Sequence, residues 1–317
     1  MIRATFKSLL SRKLRLVLSG TAVVLGVMFV SGALVLTDTV GRSFDGLFTT
    51  IYEYTDIDVS KPTEVTGLTG QPVAVPLPAS AVATVEAVPG VTSAHGQVFT
   101  DGVGVIGKNG KTVGSTGAPR FGGAWTGPSD LIGLRSGRAP TADDEIVMSA
   151  NLVKTTGYVV GDQIPLKAPF QPTKKSFTLV GVLEYSGGRD SLAGETSVLF
   201  TQPAAQRIML GQPDTFSNIN EKVLPGANLN EVRDRVAATL GSGYQVKTGA
   251  QLAAESADGT KTALKFFSYI LLGFAGVALF VGTFLILNTF SIIVAQRTRE
   301  LALFRAMGAS RRQVIGS

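Results

Sequence analysis

The chain has 317 residues, a mean hydropathy of +0.27 and a formal net charge of +6, with no Cys and one His. That inventory excludes cysteine nucleophiles and Cys/His zinc clusters and leaves a Ser-His-Asp triad almost no material. The basic excess is confined to the ends: residues 1–15 hold five Lys/Arg and no acid, residues 296–317 five Arg and one Glu, whereas residues 38–265 carry 19 basic against 22 acidic side chains. A middle segment of net −3 is a poor binder of a phosphate backbone, so no nucleic-acid partner is expected.

Residues 1–15 form a basic lead-in with Ile2, Phe6, Leu9 and Leu10 at helical spacing, the pattern of an amphipathic helix at an anionic membrane face. Leu16 to Thr37 is an uncharged run of 22 residues. It is longer than a signal-peptide core and lacks an A-x-A site before Asp38, so residues 16–37 read as an uncleaved transmembrane helix. Phe44, Leu47, Phe48 and Ile51 continue a helical stripe beyond it, as a stalk would.

Residues 38–265 read as an α+β segment. Asp56–Ser60 is an expected strand, Leu68–Pro78 a linker, Pro78–Val88 a helix closed by Pro89-Gly90, and Val91–Phe99 a strand, which together make a β-α-β unit. Gly102–Gly107, GVGVIG, matches G-x-G-x-x-G and is followed by Lys108, but Asn109 stands where a phosphate loop needs Ser or Thr, and Asn109-Gly110 is a hairpin signal. We expect a hairpin here and no nucleotide. His95 has no sequence partner that would make it catalytic. From Gly110 to Pro140 glycine is dense around Trp125. Strands follow at Glu145–Met148, Lys175–Tyr185 and Glu195–Phe200, VVGDQIPL (Val159–Leu166) reads as a turn and strand, and helices are expected at Ser149–Thr156 and Pro203–Leu210. The acids Asp143, Asp144 and Glu145 read as a solvated turn, and too few oxygen ligands accompany them for Ca²⁺. Phe216–Leu224, Asn228–Leu240 and Tyr244–Lys247 form a second β-α-β unit. Thr248 is placed to cap a helix that leads toward the chain's end, with Gly259 as a potential kink.

Phe266 to Ala295 is a run of thirty uncharged residues. At ~1.5 Å per residue it makes roughly 45 Å of helix, against the ~30 Å of a bilayer's hydrocarbon core. Ala22 and Gly26 in the first span, and Ala278 and Gly282 in the second, are small-residue pairs that let helices approach closely. The second run stops at QRTRELALFRAMGASRRQVIGS. Basic flanks on both spans place both ends of the chain on the cytoplasmic side and residues 38–265 outside, by the positive-inside rule. In the tail, Leu301, Leu303, Phe304 and Met307 form an apolar face, Gly308 is placed to end the helix in the left-handed conformation, and Ser310 could cap a further turn at Arg311.

Asn288-Thr289-Phe290 followed by AQRTRELALFRAMGASRRQV (Ala295–Val314) resembles the signature after the second span of FtsX/MacB-type ABC transporter permeases. The order DEIVMSANLVKTTGYVVGDQIPL, then FTLVGVL, is similar to the extracytoplasmic core domain of the same family. The resemblance implies a membrane protein in which two transmembrane α-helices, residues 16–37 and 266–295, flank a large extracytoplasmic α+β domain at 38–265. Within that domain, the two β-α-β units would form a membrane-proximal lobe and a β-rich lobe, roughly residues 100–200, would be inserted between them. In the family, the stretch matching residues 296–317 is a coupling helix seated on the ATPase subunit. That assigns ATPase coupling to Arg297, Arg299, Glu300, Leu301, Phe304, Arg305, Met307 and Gly308. The implied partners are a cytosolic ABC ATPase, a second permease unit or half, and the lipid bilayer. The chain itself would be no enzyme and hold no cofactor or metal. Family members continue into at least two further spans, so the resemblance is to the N-terminal part of a permease. A competing expectation is a two-span scaffold or receptor that binds an extracellular protein, such as a cell-wall hydrolase, and transports nothing.

Overall fold

The computed structural model describes residues 13–63, 74–113 and 118–308. Residues 1–12, much of the Leu68–Pro78 linker and the turn expected at Arg311 lie outside the described residues. The chain divides into two compact units, Met1–Asp45 with Ser256–Ser317, and Gly46–Glu255.

Helix α1 (Lys13–Tyr52) is followed by β1 (Ile57–Ser60), β2 (Leu77–Pro78), α2 (Ala79–Glu86) and β3 (Val91–Gln97). Pro78 precedes the first turn of α2, where its missing N–H costs nothing. Then come β4 (Phe99–Asp101), β5 (Gly104–Ile106), β6 (Thr112–Val113), β7 (Arg120–Ala124), β8 (Ile132–Gly137), β9 (Glu145–Ser149) and α3 (Ala150–Thr156). They are followed by β10 (Gln163–Ala168), β11 (Gln171–Tyr185), β12 (Thr196–Phe200), α4 (Gln202–Ala205) and β13 (Thr215–Phe216). The chain returns through β14 (Asn218–Val223), α5 (Leu229–Leu240), β15 (Gln245–Thr248) and α6 (Gly249–Ala306).

The two ends of the Gly46–Glu255 unit build one lobe. Its four-stranded antiparallel sheet has the order β15-β1-β14-β3, so the two β-α-β units interleave as a split pair with the first and third strands in the centre. One face carries the core: Ile57, Val59, Ala94 and Ile219 from the strands pack with Ala81 and Val85 of α2 and Val232 and Val236 of α5. In α5 the buried Val232 and Val236 are one turn apart, and Asn228 caps the start by accepting the Asn230 N–H.

The residues between β3 and β14 form the inserted lobe. Among the described residues its mixed sheet has nine strands, in the order β4-β7-β12-β9-β11-β10-β5-β6, with β8 on β11. One cluster, rich in Ile146, Leu166, Phe177, Leu179 and Phe200, fills one side, and Val147, Leu183, Tyr185 and Leu199 pack with Trp125 on the other. β7 and β8 arise in the glycine-dense stretch where the sequence predicts no strand. The reason is packing: a Cβ on Gly122 would fall 2.3 Å from Val103 Cγ2 and 2.6 Å from Met209 Sδ. Pro203–Leu210 is helical as expected, but only Gln202–Ala205 is α-helix, and Gln206–Leu210 widens into a π turn.

The lobes meet where β3 passes into β4 beside the β13–β14 passage. Ser217 ties the strands together: its N–H and its hydroxyl both donate to Gln97 O, at 2.7 and 2.9 Å, and its Oγ accepts the Phe99 N–H at 3.0 Å. Phe216 lies flat on Gly96, where an added Cβ would fall 2.3 Å from its ring.

In the other unit, α1 and α6 contact each other through small residues. Gly26, Ala33 and Gly41 on α1 are buried, as are Ser268, Ala275 and Gly282 at seven-residue intervals on α6. The Gly26 backbone approaches Leu279, and Lys261 pairs with Asp45 at 2.8 Å. Seven-residue spacing keeps one seam facing the partner helix, and small side chains bring the backbones close. The large apolar side chains point away: Leu25, Val27, Met28, Phe274, Phe280 and Phe284 are all exposed. A soluble protein's core helix would bury them, so both helices are long and apolar enough to cross a membrane and expose their apolar surface as lipid-facing helices do. α6 is not interrupted at Gly259.

Gly96→Ala is expected to destabilise the Gly46–Glu255 unit by about 1–3 kcal/mol, because Phe216 must leave its seat. The measurement is a urea midpoint followed by intrinsic fluorescence, and an unchanged midpoint would refute the close seating of Phe216.

Candidate functional site

The sequence points to the last turns of α6. Residues 297–306 continue that helix without a break, and Gly308, at φ +94°, stops it. Only glycine takes that backbone conformation at no steric cost, and the end is closed by Met307 N–H to Leu303 O (3.0 Å) and Gly308 N–H to Arg305 O (3.1 Å). Polar side chains upstream satisfy themselves on the helix, as a bilayer requires: Ser291 Oγ donates to Leu287 O and Thr298 Oγ1 to Val294 O, each at 2.8 Å.

At ~100° per residue, Leu303, Phe304 and Met307 share an arc of about 100°, with Leu301 further round and Glu300 inside it. Leu303 and Met307 are 60% and 74% exposed among the described residues. Arg297, Arg299 and Arg305 are exposed, Leu301 is half-buried, and Arg305 in the last turn complements the helix dipole. The structure thus places all eight predicted coupling residues on one helix end.

The remaining candidates resolve into structural roles. GVGVIG is a hairpin: Gly107 N–H donates to Lys111 O at 2.8 Å and β5 pairs with β6. Lys108 Nζ donates to Gly157 O at 2.6 Å and lies 5.2 Å from the centre of the Tyr158 ring, while Tyr158 OH donates to Ile106 O at 2.9 Å. The lysine therefore pins the hairpin to the end of α3. Asp143 pairs with Arg207 and accepts from Thr201. Glu145 is held by Arg138 and by the Thr141 and Ala142 amides, and the Arg138 guanidinium keeps its carboxyl well below the usual range. His95 is exposed on β3, in register with Asn220. Among the described residues no group of three or more His, Cys, Asp or Glu is arranged to hold a metal.

Two buried carboxylates, Asp58 and Glu221, were not singled out from the sequence. A signal existed for Glu221: strict alternation through Ile219, Glu221 and Val223 puts the acid on the core side of its strand.

Residues 16–239 match the family model of the MacB-like periplasmic core domain, and residues 272–317 match that of the FtsX-like permease C-terminal domain. The chain is 26% identical over 176 residues to an uncharacterized ABC transporter permease protein of Mycobacterium tuberculosis, covering 55% of this chain and 19% of that protein. It is 23% identical over 162 residues to the macrolide export ATP-binding/permease protein MacB of Bdellovibrio bacteriovorus, covering 49% and 25%. The matched segments thus span about a fifth to a quarter of these relatives. Solved structures similar to it include the periplasmic region of MacB from Actinobacillus actinomycetemcomitans, at 12% identity and TM-score 0.41 over 64% of this chain and 92% of that one. Another is the extracellular domain of the noncanonic ABC-type transporter YknZ from Gram-positive bacteria, at 16% identity and TM-score 0.40 over 61% and 99%.

Lys108→Ala is expected to lower stability by about 1 kcal/mol through loss of the Gly157 hydrogen bond. Equilibrium dialysis with labelled ATP is expected to give no binding at residues 102–113 in either protein. ATP binding that disappears with Lys108 would overturn the hairpin reading.

Proposed function

This chain belongs to the FtsX/MacB-type family of ABC transporter permeases, and from that membership we propose that it couples the nucleotide cycle of a separate cytosolic ATPase to movement of its Gly46–Glu255 unit outside the cell. The observation that carries the reading is the joint occurrence, in one chain, of a MacB-like core domain and an FtsX-like segment whose helix ends in exposed Leu303 and Met307 among exposed arginines. The ATPase dimer would bind this helix end with an affinity that depends on its nucleotide state, and that difference in affinity is what can shift the permease between conformations. Leu301, Phe304 and Met307 would fill a groove on the ATPase, and Arg297, Arg299, Glu300 and Arg305 would set its orientation. Gly308 would end the docking helix. In this reading both ends of the chain are cytoplasmic, a second permease unit or half completes the membrane assembly, and the work is export or the handling of lipids and lipoproteins. The catalytic chemistry belongs to the ATPase, and this chain transmits.

The topology has a direct test, because the chain has no native Cys. With Ser80→Cys and Ser310→Cys made singly, an impermeant maleimide on intact cells is expected to label position 80 and to reach position 310 only after permeabilisation. Labelling of 310 alone would invert the proposed orientation.

Coupling is tested by Phe304→Ala and Glu300→Lys. Burying a Phe contributes about 1.5–3 kcal/mol, so its loss is expected to weaken ATPase binding about tenfold or more. Membrane insertion and the stability of the outer unit are expected to stay unchanged. The readouts are co-purification of the cognate ATPase with the complete permease and ATP turnover in nanodiscs. Wild-type binding and turnover in both variants would remove the coupling assignment and favour a scaffold that docks no ATPase.

A further inference from the structure

Glu221 sits where an ionised carboxylate has no support. It is 1% exposed, and both of its carboxyl oxygens are buried with no hydrogen-bond partner. Its strand, β14, is one of the two central strands of the small sheet. Glu221 is in register with Ile57 of β1 on one side and Ala94 of β3 on the other. Directly opposed residues in an antiparallel pair share a face, so Glu221 points with Ile57, Ala94 and Ile219 toward the helix layer.

Every element packed against that face offers it apolar atoms. α2 contributes Ala81 and Val85 and keeps Glu86 exposed. α5 contributes Val232 and Val236, with Glu231, Asp234 and Arg235 exposed and Arg233 paired with Asp234. Of the neighbouring strands' charges, Asp56 is bound to the Val223 N–H and to Lys222, and Lys247 is paired with Glu255. His95 alternates with Ala94 and so lies on the opposite face. Asp58, 6% exposed, also points to the opposite face and accepts a hydrogen bond from Asn218 Nδ2 at 2.5 Å. It adds a second carboxyl one strand away and no cation.

We propose that the small lobe is a proton-responsive element, in which Glu221 allows α2 and α5 to close on the sheet only while its carboxyl is protonated. Losing the proton would leave a bare anion among Ile57, Ile219, Val232 and Val236, and it must then reach water. The strand cannot supply the route, since β14 is hydrogen-bonded on both sides. The helix layer can, because α2 and α5 are held by a few small apolar side chains. Burial, with Asp58 beside it, pushes the Glu221 carboxyl up to about 8 from the ordinary 4.5. The favourable contribution of the protonated form is therefore complete below about 4.5 and is lost as pH rises through about 8. Asp58, raised by burial to about 6, acts in the same direction over a lower window.

The test is hydrogen exchange of the full chain in nanodiscs at pH 6 and pH 8, corrected for the intrinsic pH dependence of exchange. Amides of α5 and α2 are expected to lose at least about tenfold in protection between these values, since a titrating group changes an equilibrium by up to about tenfold per pH unit. Amides of β9 and β12 in the large lobe are expected to be unaffected. Glu221→Gln keeps the shape without the charge, and at pH 8 it is expected to retain the protection that the wild type shows at pH 6. Asp58→Asn is expected to leave the loss in place. Protection in the wild type that does not change with pH overturns the proposal, as does an undiminished loss in Glu221→Gln or its abolition by Asp58→Asn alone. Should the Gln variant fail to fold, Glu221→Met is read in the same way.

Discussion

The β1 ladder is the constraint on which the outer unit depends. Four residues, Ile57–Ser60, hydrogen-bond to β14 on one side and β15 on the other, joining segments some 160 to 190 positions apart in the chain. The closure is carried on by Gly249 N–H donating to Asp56 O at 3.2 Å, which fixes the end of β15 against the residues before β1. Thr248 and Gln251 then cap α6 reciprocally, with Gln251 N–H to Thr248 Oγ1 at 3.2 Å and Thr248 N–H to Gln251 Oε1 at 2.9 Å. The long insertion between β3 and β14 is thereby enclosed in a ring of paired backbone. Closing so large a loop costs only slightly more than closing a short one, so the lobe inside it is free to grow without undoing the ladder.

The two units solve opposite solvation problems with the same backbone chemistry. The apolar helices satisfy hydroxyls such as Ser291 and Thr298 on their own backbone and expose Phe, Leu and Val side chains, while small residues line the seam between them. The outer unit buries its apolar residues and pairs most of its interior polar groups, as Ser149 does with the Ser197 N–H and Tyr185 with the Ser197 hydroxyl. Glu221 breaks that pattern. A group that costs stability when ionised, placed in the core of the small lobe, is a means of making that lobe yield before the other.

The seam at Gln97–Phe99 and Phe216–Asn218 governs how movement in one lobe reaches the other. Three hydrogen bonds on Ser217 and the seating of Phe216 on Gly96 make it a tied strap. Through Ser217 this strap joins β14 to the residues that lead into β4, a strand of the large sheet.

Much of this was legible in the residues alone, for reasons that are local. Thirty uncharged residues read as a long apolar helix, charge at the flanks bounds the apolar run, and Gly308 and Thr248 mark the helix termini through backbone freedom and side-chain capping. Alternation located β1 and β11, and the order of the two β-α-β units announced an insertion. Tertiary contacts decided the rest. β7 formed from glycine-rich sequence because Gly122 must pass beneath Val103 and Met209, and β8 because it pairs with β11, which no local pattern records. The strand order β15-β1-β14-β3 depends on pairings across more than 120 residues. Glu221 read as one acid in a strand of mixed character, and only the packing of α2 and α5 over that face removed every partner from its carboxyl. Local propensity is written in neighbours along the chain, whereas desolvation is set by whatever the fold brings to the other side.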